Sequence, residues 1–257
     1  MKKTILLFTL FLSTISYAQD IIYVDTDANG TGDGTSWSNA FPYIQSAFSS
    51  ASIGSEIWIA DGKYGVHPAS IISRNLTFNW TVDSVKVLGG FDGTETIADQ
   101  RNPSANITIL SGDLYNDGDA TNNMYTTLSG PRGTLSTPID YSYIDGITVQ
   151  GGYADNPSGK GYNGGKWGGG FFLQNYVSKI VFNNCTFKDN HAQGGAAMAF
   201  EPISSDAEVI ISNCKFENNK GDYGNCITTI VHDASLDLEV KNCLFTRTYP
   251  THFFQQT

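Results

Sequence analysis

Positive charge is scarce in this sequence. It contains 15 Lys and Arg residues against 25 Asp and Glu residues, so its formal net charge at pH 7 is -10. A chain this acidic repels phosphate backbones, and we therefore expect no nucleic-acid partner. Only 16% of the residues are charged, whereas Gly, Tyr and Phe are frequent. This composition is typical of an extracellular β protein with polar turns.

Long apolar runs are missing beyond the N-terminus. The chain begins with Lys2-Lys3, an apolar run over residues 5–12 and small residues at 16–18. This pattern is typical of a secretory signal peptide and is too short for a membrane-spanning helix. We therefore expect cleavage of residues 1–18 after Ala18, no transmembrane segment in the mature chain, and a secreted or cell-surface protein.

Cysteine is also scarce, and three of the four cysteines lie at one interval of 29 residues. The same interval separates matching Asn and Phe residues. The repeated positions are Cys185, Cys214 and Cys243; Asn184, Asn213 and Asn242; and Phe187, Phe216 and Phe245. A fixed period of this size, carried by apolar and Asn positions together, is typical of a solenoid.

The constant interval argues against disulfide bonds, although four cysteines in an exported chain raise that alternative. Stacked coils place equivalent residues about 4.8 Å apart with parallel side chains. Parallel Cβ vectors do not suit a disulfide. We therefore expect Cys185, Cys214 and Cys243 to form a ladder of buried thiols, and Cys226 to be a further core thiol.

Alternating apolar residues assign faces within residues 180–190 and 209–219 and within a weaker copy at 238–248. The inward positions are Ile180 and Phe182, Val209 and Ile211, and Leu238 and Val240, together with the Cys and Phe ladders. The Asn ladder falls at the bend between two strands, where we expect stacked amides to satisfy a buried corner. A third strand is predicted at 195–200 and 224–230. Three strands per coil predict an all-β parallel β-helix with a period of about 29.

A leucine-rich repeat is the rival fold, because residues 211–219 also match its core pattern and 29 residues suits its period. Such repeats return through a helix or a 3-10 segment. Here the return leg contains Gly194-Gly195, Pro202 and Ser204-Ser205 and has no helical periodicity. We therefore favour the β-helix.

The N-terminal third predicts a cap. Strands are expected at 21–24, 56–60 and 85–91, and a short capping helix at 42–51. Short strands at 76–78, 107–109 and 147–149 precede the three regular copies at wider intervals, which indicates insertions between early coils. We assign residues 19–64 to the N-terminal cap and first coil and residues 65–257 to the β-helix. Either the β-helix is C-terminally truncated, or Phe253-Phe254 closes its end.

The sequence resembles two groups of bacterial proteins. Residues 187–190 (FKDN) with Gly194-Gly195-Ala196, and residues 216–219 (FENN), resemble the F-x-x-N and G-G-A repeats of polymorphic outer-membrane proteins. Residues 22–41, 88–95 and 108–113 resemble the opening of secreted proteins of the pectin-lyase-like superfamily. Both resemblances imply a right-handed parallel β-helix displayed on or released from the cell surface. Thr248 departs from the repeat, because Asn is expected there.

The outward columns of the regular coils give no sign of catalysis. They contain Val181/Ile210/Glu239, Asn183/Ser212/Lys241, Thr186/Lys215/Leu244 and Lys188/Glu217/Thr246, a mixture typical of a solvated face. His191 and His232 each lie beside a turn, where we expect them to be solvated. The regular part is therefore predicted to be structural.

The best candidate binding site is the Gly-rich insertion at residues 152–170. Its aromatic and charged residues are Tyr153, Asp155, Lys160, Tyr162, Lys166 and Trp167. Aromatic faces beside polar groups hold sugars and anchor protein interfaces. We therefore expect an extracellular glycan or a surface protein as the partner.

Two Asp-rich loops are candidate sites for weak calcium binding, and no other cofactor is expected. The first contains Asp25, Asp27, Asn29 and Asp33, in a D-x-D-x-N-G start that lacks a Glu at the twelfth position. The second contains Asp113, Asp117 and Asp119. Ordinary Asp/Asn/Gly turns are the alternative for both loops.

These observations predict a secreted or surface-exposed β-helix module for adhesion, carbohydrate binding or scaffolding, without catalysis. The alternative is a polysaccharide lyase or a glycoside hydrolase, which the pectin-lyase-like resemblance implies. A hydrolase would need two facing carboxylates, and a lyase would need a base near a neutralised uronate.

Overall fold

The structure is a computed structural model that describes residues 20–66, 72–131, 133–134, 136–156, 165–174, 176–202, 207–223, 226–230, 235–246 and 253–256. The predicted signal peptide and His232 lie outside the described residues.

The described residues form four sheets whose strands all pair in parallel. In chain order the strands are β1 Ile21–Val24, β2 Glu56–Ala60, β3 Gly62–Tyr64, β4 Val85–Phe91, β5 Thr108–Ser111, β6 Leu128–Ser129, β7 Ser142–Asp145, β8 Ile147–Gln150, β9 Tyr153–Ala154, β10 Phe171–Leu173, β11 Lys179–Asn183, β12 Thr186–Lys188, β13 His191–Gly194, β14 Met198–Phe200, β15 Ala207–Ser212, β16 Lys215–Glu217, β17 Lys220–Tyr223, β18 Ile227–Ile230, β19 Leu236–Lys241, β20 Leu244–Thr246 and β21 Phe253–Gln256. The predicted strands at 21–24, 56–60 and 85–91 are confirmed at both ends.

Each sheet collects one strand from successive passes of the chain. The first sheet has the order β1-β2-β4-β7-β11-β15-β19 and the second has the order β3-β5-β8-β12-β16-β20. The third sheet is β9-β13-β17, and the fourth is β6-β10-β14-β18-β21. From β7 to β18 the chain visits the four sheets in this sequence three times. Parallel neighbours require such long connections, since a tight turn cannot join them.

The α-helix α1, Ile44–Ser50, lies within the predicted range of 42–51. Its buried residues Ile44, Ala47 and Phe48 follow the i, i+3, i+4 spacing of one helical face. They join the main core, where the Phe48 ring lies 5.3 Å from that of Trp80. The described residues also contain three 3-10 helices, at Trp37–Asn39, Ala98–Gln100 and Ala120–Asn122.

Strand register stacks like residues above one another. Phe187 pairs with Phe216, and Phe216 pairs with Phe245. Their rings stack with centroids 5.6 and 4.7 Å apart. The outward columns named from the sequence pair in the same way, as Val181 with Ile210 and Ile210 with Glu239. The 29-residue interval therefore keeps each side chain on one face of the stack.

Cys185, Cys214 and Cys243 each lie two residues beyond a first-sheet strand, whereas Cys226 directly precedes β18 of the fourth sheet. None of the four forms a disulfide. Cys185, Cys214 and Cys226 are buried, whereas Cys243 is half-buried in the last copy. Hydrogen bonds with Cys185 and Cys243, together with burial, raise the pKa of Cys214. Its thiol therefore stays protonated at neutral pH and packs as a small core group.

The bend residues Asn184, Asn213 and Asn242 are exposed, so the prediction that they satisfy a buried corner is wrong. Each has a positive φ, of 50°, 55° and 53° respectively, and Gly146 has the same role one turn earlier with 72°. Asn tolerates this left-handed conformation better than most residues because its short polar side chain bonds locally. The conformation of the bend, and not burial, explains the repeated Asn.

The buried amide ladder consists of Asn190 and Asn219, each 1% exposed, at the F-x-x-N positions. Asn190 Nδ2 donates to Asn219 Oδ1 at 3.0 Å and to Val149 O at 3.1 Å. Asn219 Nδ2 donates to Phe187 O at 2.8 Å. These bonds satisfy backbone carbonyls where the chain leaves the second sheet.

Two strand predictions need correction. The prediction of three strands per turn missed the third sheet, whose strand His191–Gly194 is short and lacks the apolar alternation of a conventional strand. The strand expected at 76–78 is reduced to a single bridge between Phe78 and Leu128, at the fourth sheet. Between the described residues 195 and 202 the return leg contains β14 and no helix, unlike a leucine-rich repeat.

We predict that Phe216→Ala lowers the free energy of unfolding by about 3–5 kcal/mol, because Phe216 is fully buried between two stacked rings. Leu244→Ala, at a side chain 52% exposed on the adjacent strand, should change it by about 0.5 kcal/mol or less. Urea denaturation of both variants measures the difference. An equal decrease in the free energy of unfolding of both variants would contradict a stabilising role for the stacked Phe residues.

Candidate functional site

The described part of the insertion brings Tyr153 against His191. Tyr153 lies in β9, which pairs with β13 so that Tyr153 is opposite His191. The two rings stack at 4.4 Å with an angle of 19° between their planes. His191 is therefore half-buried against an aromatic ring, whereas the sequence predicted a solvated side chain. Lys160 and Tyr162 lie outside the described residues.

Arg74 joins this pair to a second tyrosine. Its guanidinium carbon lies 4.2 Å from the centre of the Tyr125 ring and 5.9 Å from that of Tyr153. Arg74 Nη2 also forms an ion pair with Asp155 Oδ1 at 2.6 Å. We call Arg74, Tyr125, Tyr153, Asp155 and His191 the tyrosine-arginine patch. It alternates aromatic rings with cationic and polar groups along the surface.

Backbone contacts hold Arg74 in this position. Its Nε donates to Asn123 O at 2.7 Å, and its Nη2 donates to Tyr153 O at 2.8 Å. Three separate chain segments therefore meet at one guanidinium. Such contacts fix the side chain before any ligand arrives, which lowers the entropic cost of binding.

The imidazole of His191 is surrounded by charges of both signs. Burial lowers its pKa, and Lys220, its partner on β17, lowers it further, whereas Asp222 and Asp155 act in the opposite direction. The net shift is downward, so the ring is neutral at pH 7. A neutral imidazole has one donor and one acceptor nitrogen for a ligand.

Trp167 and Lys166 lie further along the third sheet. Trp167 forms a bridge with Gly194, and Lys166 O accepts hydrogen bonds from Gln193 N and Gly194 N. The structure therefore brings Tyr153 and Asp155 together in the patch, and places Trp167 at Gly194, three residues beyond His191.

Arg74, Tyr125 and His191 were missed as site residues by the sequence analysis. For His191 a signal exists, because Tyr153 and His191 are separated by the same 38 residues as Val149 and Phe187, which pair in the second sheet. Arg74 and Tyr125 lie in irregular segments outside the repeat, so no period predicts their position.

A buried ion pair lies elsewhere, at the bend after β7. Arg101 Nη1 contacts Asp145 Oδ1 at 2.8 Å, and Asp145 is 1% exposed. Tyr143 Oη and Asn183 Nδ2 each donate to Asp145 Oδ2 at 2.7 Å. Arg101 Nη1 also donates to Gly89 O at 3.0 Å. Asp145 is thus fully bonded, and it attaches the insertion between β4 and β5 to the first sheet.

The residues of the first predicted calcium loop do not share one environment. Asp25, Asp27 and Asn29 line a shallow cavity of about 520 Å³. Asp33 instead accepts hydrogen bonds from Thr31 Oγ1 and from Thr35 N and Oγ1. The hydrogen bonds from Thr35 and Thr31 lower the pKa of Asp33.

In the second predicted calcium loop, two of the three carboxylates are used by local turns. Asp117 accepts from Asp119 N and from Asn122 Nδ2. Asp119 accepts from Thr121 N and Oγ1, and the bonds from Thr121 lower its pKa. Asp113 Oδ2 faces Lys63 Nζ at 3.6 Å. Within the described part of the chain, no group of three His, Cys, Asp or Glu side chains is arranged to hold a metal ion.

The chain matches no protein-family model, and comparison with curated proteins and with solved structures found no similar chain. Of the helices in the described ranges, none has the length and apolar character needed to span a bilayer.

We predict that Asp145 contributes stability that disappears in acid. Burial raises its pKa, but the hydrogen bonds from Arg101, Tyr143 and Asn183 outweigh burial, so the net shift is downward. A depressed folded-state pKa gives stability that is complete above the unfolded value of about 3.9 and is lost as pH falls through the folded value.

The corresponding experiment compares Asp145→Asn with the parent chain by urea denaturation at several pH values. The variant should have a lower free energy of unfolding than the parent at pH 7. This difference in stability should shrink below about pH 4, because Asp145 becomes protonated in the parent. Asp99→Asn, at an exposed position of the same insertion, is the matched control. A difference in the free energy of unfolding that stays constant down to about pH 2 would rule out stabilisation by the ionised Asp145.

Proposed function

We propose that the chain is a right-handed parallel β-helix that resembles pectin-lyase-like proteins and the repeats of polymorphic outer-membrane proteins. The recurring order of four parallel sheets and the 29-residue register support this proposal. The buried Asn190–Asn219 ladder adds support, because it occupies the Asn position of both F-x-x-N motifs. Signal-peptide cleavage after Ala18 and export to the cell surface belong to the same proposal.

The proposed function is non-catalytic binding of an extracellular glycan. The observation that carries it is the tyrosine-arginine patch, in which Tyr125, Arg74, Tyr153 and His191 form one continuous row of rings and a guanidinium. Tyrosine combines a large apolar ring with a polar hydroxyl at low entropic cost, which suits the alternating CH and OH groups of sugars.

The patch also offers polar groups around its rings. Asp155, the neutral His191 and Lys220 provide an acceptor, a mixed donor and acceptor, and a cation within one region. The regular outer columns lack such a group of aromatic and charged side chains. A surface protein with polar side chains could use the same groups and is a further outcome of the binding test.

We predict that Tyr153→Ala weakens glycan binding about tenfold or more, because the ring contacts both His191 and Arg74 at the centre of the patch. The measurement is a glycan array followed by titration calorimetry with the best ligand. Tyr115→Ala, at a tyrosine 55% exposed outside the patch, is the control and should bind like the parent. If Tyr153→Ala binds the glycan as tightly as the parent does, the tyrosine-arginine patch is not the binding site.

A polysaccharide lyase is the second candidate function. The specific observation in its favour is that Lys220 lies opposite His191 in the third sheet, beside an imidazole whose pKa is lowered by burial. A neutral base beside a cation is what proton abstraction next to a uronate requires. Incubation with acidic polysaccharides should then release unsaturated uronates, and His191→Gln should abolish the release. Binding without release favours the glycan-binding module.

A further inference from the structure

Three buried side-chain oxygens of the loop between β5 and β6 lack a hydrogen-bond partner. They are Asp113 Oδ1, Asn122 Oδ1 and Asn123 Oδ1, and none is bonded by any described residue. A buried acceptor without a partner is costly, and few occur in native structures. Three such oxygens in one loop indicate that the loop is built around a cation, which accepts lone pairs from oxygen atoms.

The orientation of both amides is fixed by their nitrogens. Asn122 Nδ2 donates to Asp117 Oδ2 at 3.0 Å, and Asn123 Nδ2 donates to Gly151 O at 2.7 Å. Because both partners are acceptors, neither amide can be rotated without placing two oxygens together. Asn123 is 5% exposed, and its Oδ1 is buried without a hydrogen-bond donor among the described residues.

The closure of the loop brings Asp113 near Asn123. Met124 N donates to Gly112 O at 2.9 Å, which joins the two ends of the loop. Asn123 Nδ2 and Asp113 N lie 3.5 and 3.7 Å from the position that a β-carbon would take on Gly151. The backbone of Asp113 and the buried amide of Asn123 therefore lie beside the same glycine. Lys63 is on the other carboxylate oxygen, Asp113 Oδ2.

We infer that Asp113, Asn122 and Asn123 form the protein part of a calcium site. The three ligand atoms are oxygens, which calcium prefers, whereas zinc and copper sites use nitrogen or sulfur. Calcium also accepts amide oxygens and irregular geometry more readily than magnesium does. With one carboxylate the site is weak, with a dissociation constant on the order of 10⁻⁴–10⁻³ M.

This ligand set differs from the sequence prediction for the same loop. Only Asp113 is common to both sets, because Asp117 and Asp119 are bonded within local turns. Amide side chains replace them. The inference does not depend on the proposed glycan function, although Asn123 O accepts from Arg74 Nε, so an ordered loop would also support the patch.

The experiment uses the full chain with calcium chloride or terbium chloride as probe. Ten-millimolar calcium should raise the melting temperature by roughly 3 °C, and magnesium should raise it less. Terbium should show luminescence sensitised by tyrosine, since Tyr115 and Tyr125 lie in or beside the loop, and calcium should displace it.

Variants identify the ligands. Asp113→Asn and Asn122→Ala should each weaken calcium binding about tenfold or more, because each loses a ligand or its charge. Asp119→Asn removes the same charge from the same loop and should bind within about twofold of the parent. If Asp113→Asn does not fold, Asn122→Ala serves as the test of the calcium site. The Asn122 side chain is only partly buried, so its truncation should leave the fold intact.

Two outcomes would overturn the site. One is the absence of a saturable calcium or terbium response in the parent chain, which would mean that the three oxygens hold water. The other is an equal loss in Asp113→Asn and Asp119→Asn, which would mean that calcium responds only to the general negative charge. Neither outcome affects the glycan test, because Tyr153 is not a ligand of the ion.

Discussion

Parallel pairing in constant register is the constraint on which the rest of the structure depends. Each pass of the chain must return to the first sheet with the same residues facing inward, because a shift by one residue would turn every apolar side chain toward water. Phe187 above Phe216 and Phe216 above Phe245 result from this constraint. The left-handed bends at Asn184, Asn213 and Asn242 keep each turn the same length.

The same constraint explains where the chain is free to vary. Insertions lie at the corners between strands, where they do not disturb the stacked pairs. One insertion is attached through Arg101 to the buried Asp145. Another contains the loop with three unbonded oxygens, and a third contains Tyr153. The regular strands therefore supply stability, and the insertions between them supply the candidate sites.

The regular part of the fold could be predicted from the sequence, because apolar alternation and turn residues determine where strands begin and end and which side chains face inward. The bounds of β1, β2 and β4 and the inward faces of β11 and β15 follow from that pattern. His191–Gly194 could not be predicted as a strand, since it is held by pairing with its neighbours and not by its own composition. The ladder of Asn184, Asn213 and Asn242 was misassigned because sequence alone does not separate an amide needed for a bend from one needed for burial.

The candidate sites were less predictable for a related reason. Tyr153 and Asp155 stand out as residues of a Gly-rich insertion, but Arg74 is 81 positions from Asp155 and reaches it only in the folded chain. In the same way, clustered Asp residues drew attention to residues 113–119, whereas the oxygens without donors are mainly on Asn122 and Asn123. Hydrogen-bond satisfaction is a property of the tertiary structure and has no sequence pattern.

The rest of the structure depends on the register of the first sheet, and inter-strand nuclear Overhauser effects in the labelled protein test that register directly. The stacked register predicts cross-peaks linking Val181 to Ile210 and Ile210 to Glu239, at a constant separation of 29 residues. Cross-peaks at any other separation, or a helical pattern within residues 195–202, would contradict it.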